Sequence, residues 1–180
     1  MDQIKRFEFV PGDEIVIAPG RTVKRIRALV AISALGVSPG DLGGYVEKEA
    51  QVSGDAWVSG DAWVYGNARV YDGAWVDGDA RVSGDAWVSG EARVSGRGLI
   101  FWASVVGTEN GTLTVYNGND NTLLVTRGCF SGSVDEFLAK SACQHDERTR
   151  TEYRLLIDVA RSRIDHARAT AIVPADEVAA

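Results

Sequence analysis

Apolar positions recur along the middle third of this chain with a fixed interval of six. Valine stands at 46, 52, 58, 64, 70, 76, 82, 88 and 94, and alanine lies two places before each of the last eight, from Ala50 to Ala92. Most units are separated by glycine followed by a polar residue: Gly54-Asp55, Gly60-Asp61, Gly66-Asn67, Gly78-Asp79, Gly84-Asp85 and Gly90-Glu91, with Asp72-Gly73 as the inversion. A hexad of this kind predicts a parallel β-helix, in which short strands stack coil upon coil. If three hexads make one triangular coil, residues 18 apart lie over one another. Alanine and valine, two apart on a strand, share a face. They are the only continuous apolar column, so both must point inward. The expected interior is narrow and closed to ligands, and a polar group placed in it would cost a few kcal/mol, about 1–3 by mutational measures.

The residue between alanine and valine then points outward. Its identities are Gln51, Trp57, Trp63, Arg69, Trp75, Arg81, Trp87 and Arg93. The residue after valine also points outward and includes Tyr65 and Tyr71. Sorting by 18 gives three expected walls: Trp57, Trp75 and Arg93; Trp63, Arg81 and Leu99, edged by Tyr65 and Phe101; and Gln51, Arg69 and Trp87, edged by Tyr71. Exposed aromatic surface marks an interaction site unless it is covered, and Trp beside Arg can form cation–π pairs. The expected ligand- or partner-binding residues are therefore Trp57, Trp63, Tyr65, Arg69, Tyr71, Trp75, Arg81, Trp87 and Arg93.

The flanks differ from the repeat, and three segments are expected: an N-terminal β cap (1–44), the repeat (45–107) and C-terminal strands with two helices (108–180). Arg6–Val10 and Glu14–Ala18 read as short strands broken by Pro11-Gly12, whereas Val23–Ile32 is ambiguous. Leu99–Val106, Thr112–Tyr116 and Thr122–Arg127 read as strands divided by turn-forming residues. Ser133-x-x-Glu136 is a capping box that opens a helix to about Ala142, with Val134, Phe137 and Leu138 on one side. Thr149-x-x-Glu152 is read as a second, opening a helix whose apolar stripe is Tyr153, Leu156, Ile157, Ala160 and Ile164. The tail after Ala169 is expected to be loose.

Composition narrows the chemistry. The 180 residues carry a formal charge of −6, which argues against duplex nucleic acid as a partner. No stretch of roughly 20 apolar residues is present, so no membrane span is expected. The start, MDQIKRFEFV, lacks an apolar signal core, which suggests a cytoplasmic protein with Cys129 and Cys143 reduced. The turn acids Asp55, Asp61, Asp79, Asp85 and Glu91 suit tight corners better than a metal, and no cofactor is expected.

The hexads are similar to those of the left-handed β-helix (hexapeptide) superfamily, which includes trimeric acyltransferases and γ-class carbonic anhydrases. The wider layout resembles something narrower. Arg25-Ile26-Arg27-Ala28-Leu29, then 40–49 (GDLGGYVEKE), then Val64-Tyr65-Gly66-Asn67-Ala68-Arg69-Val70, and Arg127-Gly128-Cys129-Phe130-Ser131-Gly132 before a helix resemble hexapeptide-repeat proteins of phages and prophages. The resemblance covers roughly residues 20–168 and implies a left-handed triangular prism, with no chemistry to carry over. The chain departs from that family by placing Trp or Ser where Arg or Tyr would stand on the outer walls. The related acyltransferases use a histidine base and the carbonic anhydrases three zinc-binding histidines. Here the histidines are His145 and His166, both outside the repeat. His145 lies in a polar turn, and His166 near a helix end, where a cation complements the dipole. A non-enzymatic role is expected: binding of a host defence protein or nucleotide signal, or self-assembly into a dimer or trimer through the walls. An acyltransferase is the least favoured alternative.

Overall fold

The computed structural model describes residues 5–171, and the chain divides into two compact units, Met1–Arg97 and Gly98–Ala180. It is mainly β, with a solenoid repeat in the first unit and two helices in the second.

The first unit opens with a long strand, β1 (Phe7–Ala18), antiparallel to β2 (Arg21–Ala28). The two short strands expected at its start are therefore one. Pro11-Gly12 does not end the strand but sits in a wide bulge, because pairing jumps from Phe9↔Ile26 to Glu14↔Lys24. Proline is tolerated there because β1 is the outer strand of its sheet and its N–H side needs no partner. β2 pairs in turn with β3 (Leu42–Val46), again antiparallel.

The coils follow as strands of two residues each: β4 (Trp57–Val58), β5 (Trp63–Val64), β6 (Arg69–Val70), β7 (Trp75–Val76), β8 (Arg81–Val82), β9 (Trp87–Val88) and β10 (Arg93–Val94). Each pairs in parallel with a strand 18 residues away, as in Trp57↔Trp75 and Val58↔Val76. Three ladders result: β3-β5-β8, β4-β7-β10 and β6-β9. The first is continuous with the antiparallel cap strands, so the sheet is mixed and the cap covers the N-terminal edge of that ladder. Val58 through Val88 and Ala62 through Ala92, taken every six residues, are fully excluded from water. Close backbone approach is needed where the cap meets the coils. A Cβ on Gly44 would lie 2.7 Å from the Ala62 carbonyl oxygen and 2.8 Å from a Val58 methyl. The repeat opens where the pattern suggests, with Val46 in register on Val64 and Val52 bridged in parallel to Val70, but Ala50 is exposed in a single 3-10 turn (Glu49–Gln51). Gln51 is not on an outer wall either. It is buried, donating from Nε2 to the Gly66 carbonyl at 3.1 Å and accepting from the Lys48 N–H at 2.9 Å.

The inverted step has a backbone reason. Gly54, Gly60, Gly66, Gly78, Gly84 and Gly90 all turn the corner with φ between +59° and +76°, and Asp72 occupies the same slot at +59°. Aspartate is one of the few side chains that enters this region at modest cost.

The second unit is an antiparallel sheet, β11 (Ile100–Val106), β12 (Gly111–Asn117), β13 (Leu123–Arg127) and β14 (Phe130–Ser133), with α1 (Val134–Gln144) and α2 (Glu147–Ala171). β14 was not foreseen, since the glycine and serines of Phe130–Ser133 carry no strand signal of their own. It forms by pairing with β13 across the tight Gly128-Cys129 turn. One core joins Leu113, Val115 and Val125 of the sheet to Val134 and Phe137 of α1 and to Tyr153, Ile157, Ala160 and Ile164 of α2. Leu99 and Phe101, expected to continue an outer wall, pack against this core. The Ser133 capping box is present: the hydroxyl accepts from the Glu136 N–H, and the Glu136 carboxylate accepts from the Ser133 N–H. Those bonds to the charged form hold the Glu136 carboxyl below its ordinary pKa. The second box is not present. Asp146 accepts from the Thr149 N–H at 2.9 Å, so α2 starts earlier and Thr149 is buried inside its first turn. α2 extends past Ala169 to Ala171; the rest of the expected loose tail lies outside the described residues. No described helix is long and apolar enough to cross a membrane.

Val105 is a β-branched residue held at φ +61° and 72% exposed, in an irregularity of β11 between Ala103 and Val106. A left-handed backbone costs a side chain of this type roughly 1–2 kcal/mol, which asparagine largely avoids. Val105→Asn is expected to raise stability by about 1 kcal/mol, read as a higher denaturant midpoint at unchanged slope. A lower midpoint would contradict the strain.

Candidate functional site

The outward positions of the coils meet as pairs across adjacent rungs. Arginine and tryptophan meet across adjacent coils: Arg81 over the Trp63 of the coil before it at 3.8 Å, Arg93 with the Trp75 of the coil before it at 5.9 Å, and Arg69 with the Trp87 of the coil after it at 5.5 Å from ring centre to guanidinium carbon. Each pair is 18 residues apart and belongs to one ladder. Each contributes about 0.5–2 kcal/mol, more where water is excluded. The walls deduced by sorting are thus present as Trp57–Trp75–Arg93, Trp63–Arg81 and Arg69–Trp87. The second wall begins one rung earlier, with Tyr45 paired to Trp63.

The arginine heads are committed to the scaffold. Arg81 donates through one terminal nitrogen to the carbonyls of Asp61, Asp79 and Ala80, at 2.7, 2.9 and 3.0 Å. Arg93 donates to those of Gly73 and Ala92, at 3.2 and 2.8 Å. In both cases the further acceptor is a corner carbonyl of the preceding coil. Burial, then the nearby charge of Arg97, pulls the Arg81 guanidinium below its ordinary pKa, opposed by Asp79 and Asp61. The tryptophans are tied as well. Trp75 donates its indole N–H to the Ser59 hydroxyl at 2.7 Å, and Tyr71 meets Trp87 edge-on at 6.4 Å. Tyr65 lies 5.7 Å from the Arg21 guanidinium of the cap.

Trp63, Trp75, Trp87, Tyr65, Tyr71, Arg81 and Arg93 remain partly exposed, and Arg69 is exposed. Trp57 is different. It is only 2% exposed, and a Cβ on Gly43 would come within 2.9 Å of its ring, so β3 lies directly against the indole. The expectation that Trp57 is a surface contact is therefore wrong: the cap strand converts the first rung of that wall into core. Its position in the repeat is identical to that of Trp75, so periodicity alone could not separate them.

A second cluster was missed. The β1 bulge lowers Asp13 onto Arg25, whose Nε donates to Oδ2 at 2.9 Å. Arg25 also donates to the Tyr45 hydroxyl at 2.6 Å and stacks on that ring at 4.2 Å, and the Tyr45 hydroxyl donates to Asp13 Oδ1 at 3.1 Å. Its other head nitrogen reaches the Gly43 and Gly60 carbonyls. This is the Arg-on-aromatic, Arg-to-corner device of the coils, supplied here by the cap. By composition Pro11-Gly12 signals a strand break, and nothing local in the sequence distinguishes that from this bulge.

Both cysteines are free and exposed. His145 ends α1 with its ring 5.5 Å from Tyr153, and His166 lies on the exposed side of α2. Among the described residues, no group of three or more His, Cys, Asp or Glu side chains is placed to hold a metal ion.

A family model described as a YdcK beta solenoid repeat matches residues 50–66 and 62–77. No curated protein matches the chain, and no solved structure does. The matched residues are coils, and the chain is a β-solenoid repeat protein in that sense.

Two outcomes follow from the wall geometry. Trp57→Ala should destabilise by about 3–5 kcal/mol, as for other buried tryptophans, and Trp87→Ala by about 1–2 kcal/mol, the loss of one stacked cation and one edge contact. Urea unfolding of both variants checks this, and equal losses would mean that the cap does not bury Trp57. Asp77 takes the place after valine that serine takes in most coils, and burial pushes its carboxyl above the ordinary carboxylate pKa. A raised folded-state pKa favours the protonated form, so this group's penalty is absent below its unfolded pKa and grows as pH rises toward the folded one. Asp77→Ser should therefore raise the melting temperature relative to the parent near neutral pH, with a gain that shrinks below the ordinary aspartate pKa. A gain independent of pH would remove burial of the charge as the cause.

Proposed function

We propose that this chain is a non-enzymatic binding protein whose solenoid faces recognise a partner protein. The observation that carries the reading is the set of Trp–Arg rungs, 63–81, 69–87 and 75–93, with planar side chains stacked and partly exposed on a rigid frame. Rigid aromatic and arginine side chains pre-ordered in this way lose little entropy on binding and are the residue types that dominate protein interfaces. A nucleotide signal is the weaker choice, since Arg81 and Arg93 direct a head nitrogen into backbone carbonyls rather than outward to a phosphate. The fuller form of the proposal follows the resemblance: a left-handed hexapeptide prism of phage or prophage type, acting in the host cytoplasm by sequestering or blocking a defence protein. Catalysis is not part of it, because no histidine stands on the coils to serve as general base.

Self-assembly is the second reading. It is favoured by β1, the outer strand of its sheet, which presents Val16 at 72% exposure along an open edge. The discriminating experiment compares the parent with a Trp63→Ser, Trp87→Ser variant of unchanged circular dichroism. Affinity capture from bacterial lysate should recover a protein with the parent and lose it with the variant, while both sediment identically. If instead the parent alone sediments as a dimer or trimer and captures nothing, the faces are interfaces between copies. Recovery of the same proteins by both would remove the faces from function.

A further inference from the structure

The second unit holds a small cavity of about 170 Å³ that lies between the β13–β14 turn, α1 and the start of α2. Two of its lining groups are buried polar side chains with unused hydrogen-bonding capacity. Arg127, at the end of β13, is nine-tenths buried: its side chain is 10% exposed. One head nitrogen donates to the Val106 carbonyl at 3.1 Å, and another lies 3.7 Å from Glu109, a carboxylate that is 81% exposed. Its Nε has no partner within the protein. Ser141, on α1, is 3% exposed, and its hydroxyl also lacks one. A buried guanidinium paired only with a distant, solvated carboxylate is under-compensated, and buried polar groups left without partners are rare enough to need a reason. The chain makes room for this guanidinium: a Cβ on Gly111 would lie 2.5 Å from it.

Further donors and flat surfaces line the same space. Lys140 holds its ammonium 5.3 Å over the Phe130 ring, and Gln144 and His145 complete the α1 side. Phe130, Phe137 and Tyr153 form a continuous aromatic wall, with ring centres 5.4 and 5.1 Å apart along it. Within a chain of formal charge −6, this is a concentration of positive and donor groups beside an apolar face.

We propose that this cavity binds a small organic oxyanion, its phosphate or carboxylate held by Arg127 and Lys140 and its apolar body laid against Phe130, the partly exposed end of the aromatic wall. The oxyanion would bond the terminal nitrogen of Arg127 that has only the carboxylate at 3.7 Å, since Nε and the Ser141 hydroxyl are closed to solvent, and charge-assisted bonds of this kind are the strong ones. The ligand belongs to the second unit alone and is independent of what the solenoid faces bind.

Cys129 lines the cavity and is exposed, whereas Cys143 is exposed and does not line it. The two thiols therefore report in one chain. The rate of alkylation by iodoacetamide is followed for each by mass spectrometry while inorganic phosphate or benzoate is added at constant ionic strength with sodium chloride. Occupancy should slow Cys129 and leave Cys143 unchanged. Protection by phosphate alone, or by benzoate alone, identifies the head group. Lys140→Gln, an exposed change that keeps the fold, should weaken the protecting ligand roughly tenfold, the loss of one charge-assisted contact. Arg127→Gln should abolish protection where the variant folds. The proposal is overturned if neither anion protects Cys129, if both thiols slow together, or if Lys140→Gln is protected as well as the parent.

Discussion

Each coil of the repeat stands on its neighbour through a register of 18 residues, and that register depends on an interior filled by valine and alanine alone. Strands of two residues offer few backbone bonds per rung. Stability must come from repeating the same closed layer, since no coil can bury its apolar face by itself. The interior residues are fully excluded from water. Whatever the first unit does, it does with side chains that the register turns outward.

The outward positions carry two loads at once. An arginine that stacks on the tryptophan of the previous coil also reaches past it to a corner carbonyl, as Arg81 does to Asp61 and Arg93 to Gly73. The corners need this, because a left-handed glycine turns the chain so sharply that some carbonyls face away from the ladder. The cap repeats the device with Arg25, Tyr45 and the Gly60 carbonyl. The same side chains therefore clamp coil to coil and present a flat aromatic surface. A face built in this manner is rigid, and it suits a broad partner better than a phosphate that needs the whole guanidinium.

Much of this was legible in the sequence because a six-residue period maps directly onto side-chain direction. The stacking of Trp63 with Arg81 and of Trp75 with Arg93 followed from counting. So did the helix stripe of Tyr153, Ile157, Ala160 and Ile164, whose spacing by three and four reports a buried face. What escaped was set by contacts distant in sequence. Trp57 and Trp75 share one place in the hexad, and only the close passage of Gly43 buries the first. Asp13 joins Arg25 because an outer strand can bulge at Pro11-Gly12, where pairing lapses between Phe9 and Glu14. Thr149 resembled a helix cap by spacing, yet Asp146 was better placed to accept its N–H. Local chemistry offered two solutions there, and tertiary burial of Thr149 selected one.

The two units distribute polar groups by opposite rules. In the solenoid, the buried Gln51 is satisfied at both ends of its amide, and Arg81 and Arg93 donate to backbone carbonyls. Such a frame has nothing left over inside and tolerates no intruding group. In the second unit Arg168 shows the same completeness, bonded to the Asn117 side chain and to the Asn121 and Thr122 carbonyls, so it fixes α2 to the β12–β13 turn. Arg127, on the same sheet, does not. It has one carbonyl, one distant carboxylate and an unmatched Nε. The contrast separates an arginine that closes the structure from one that is only partly satisfied within the protein.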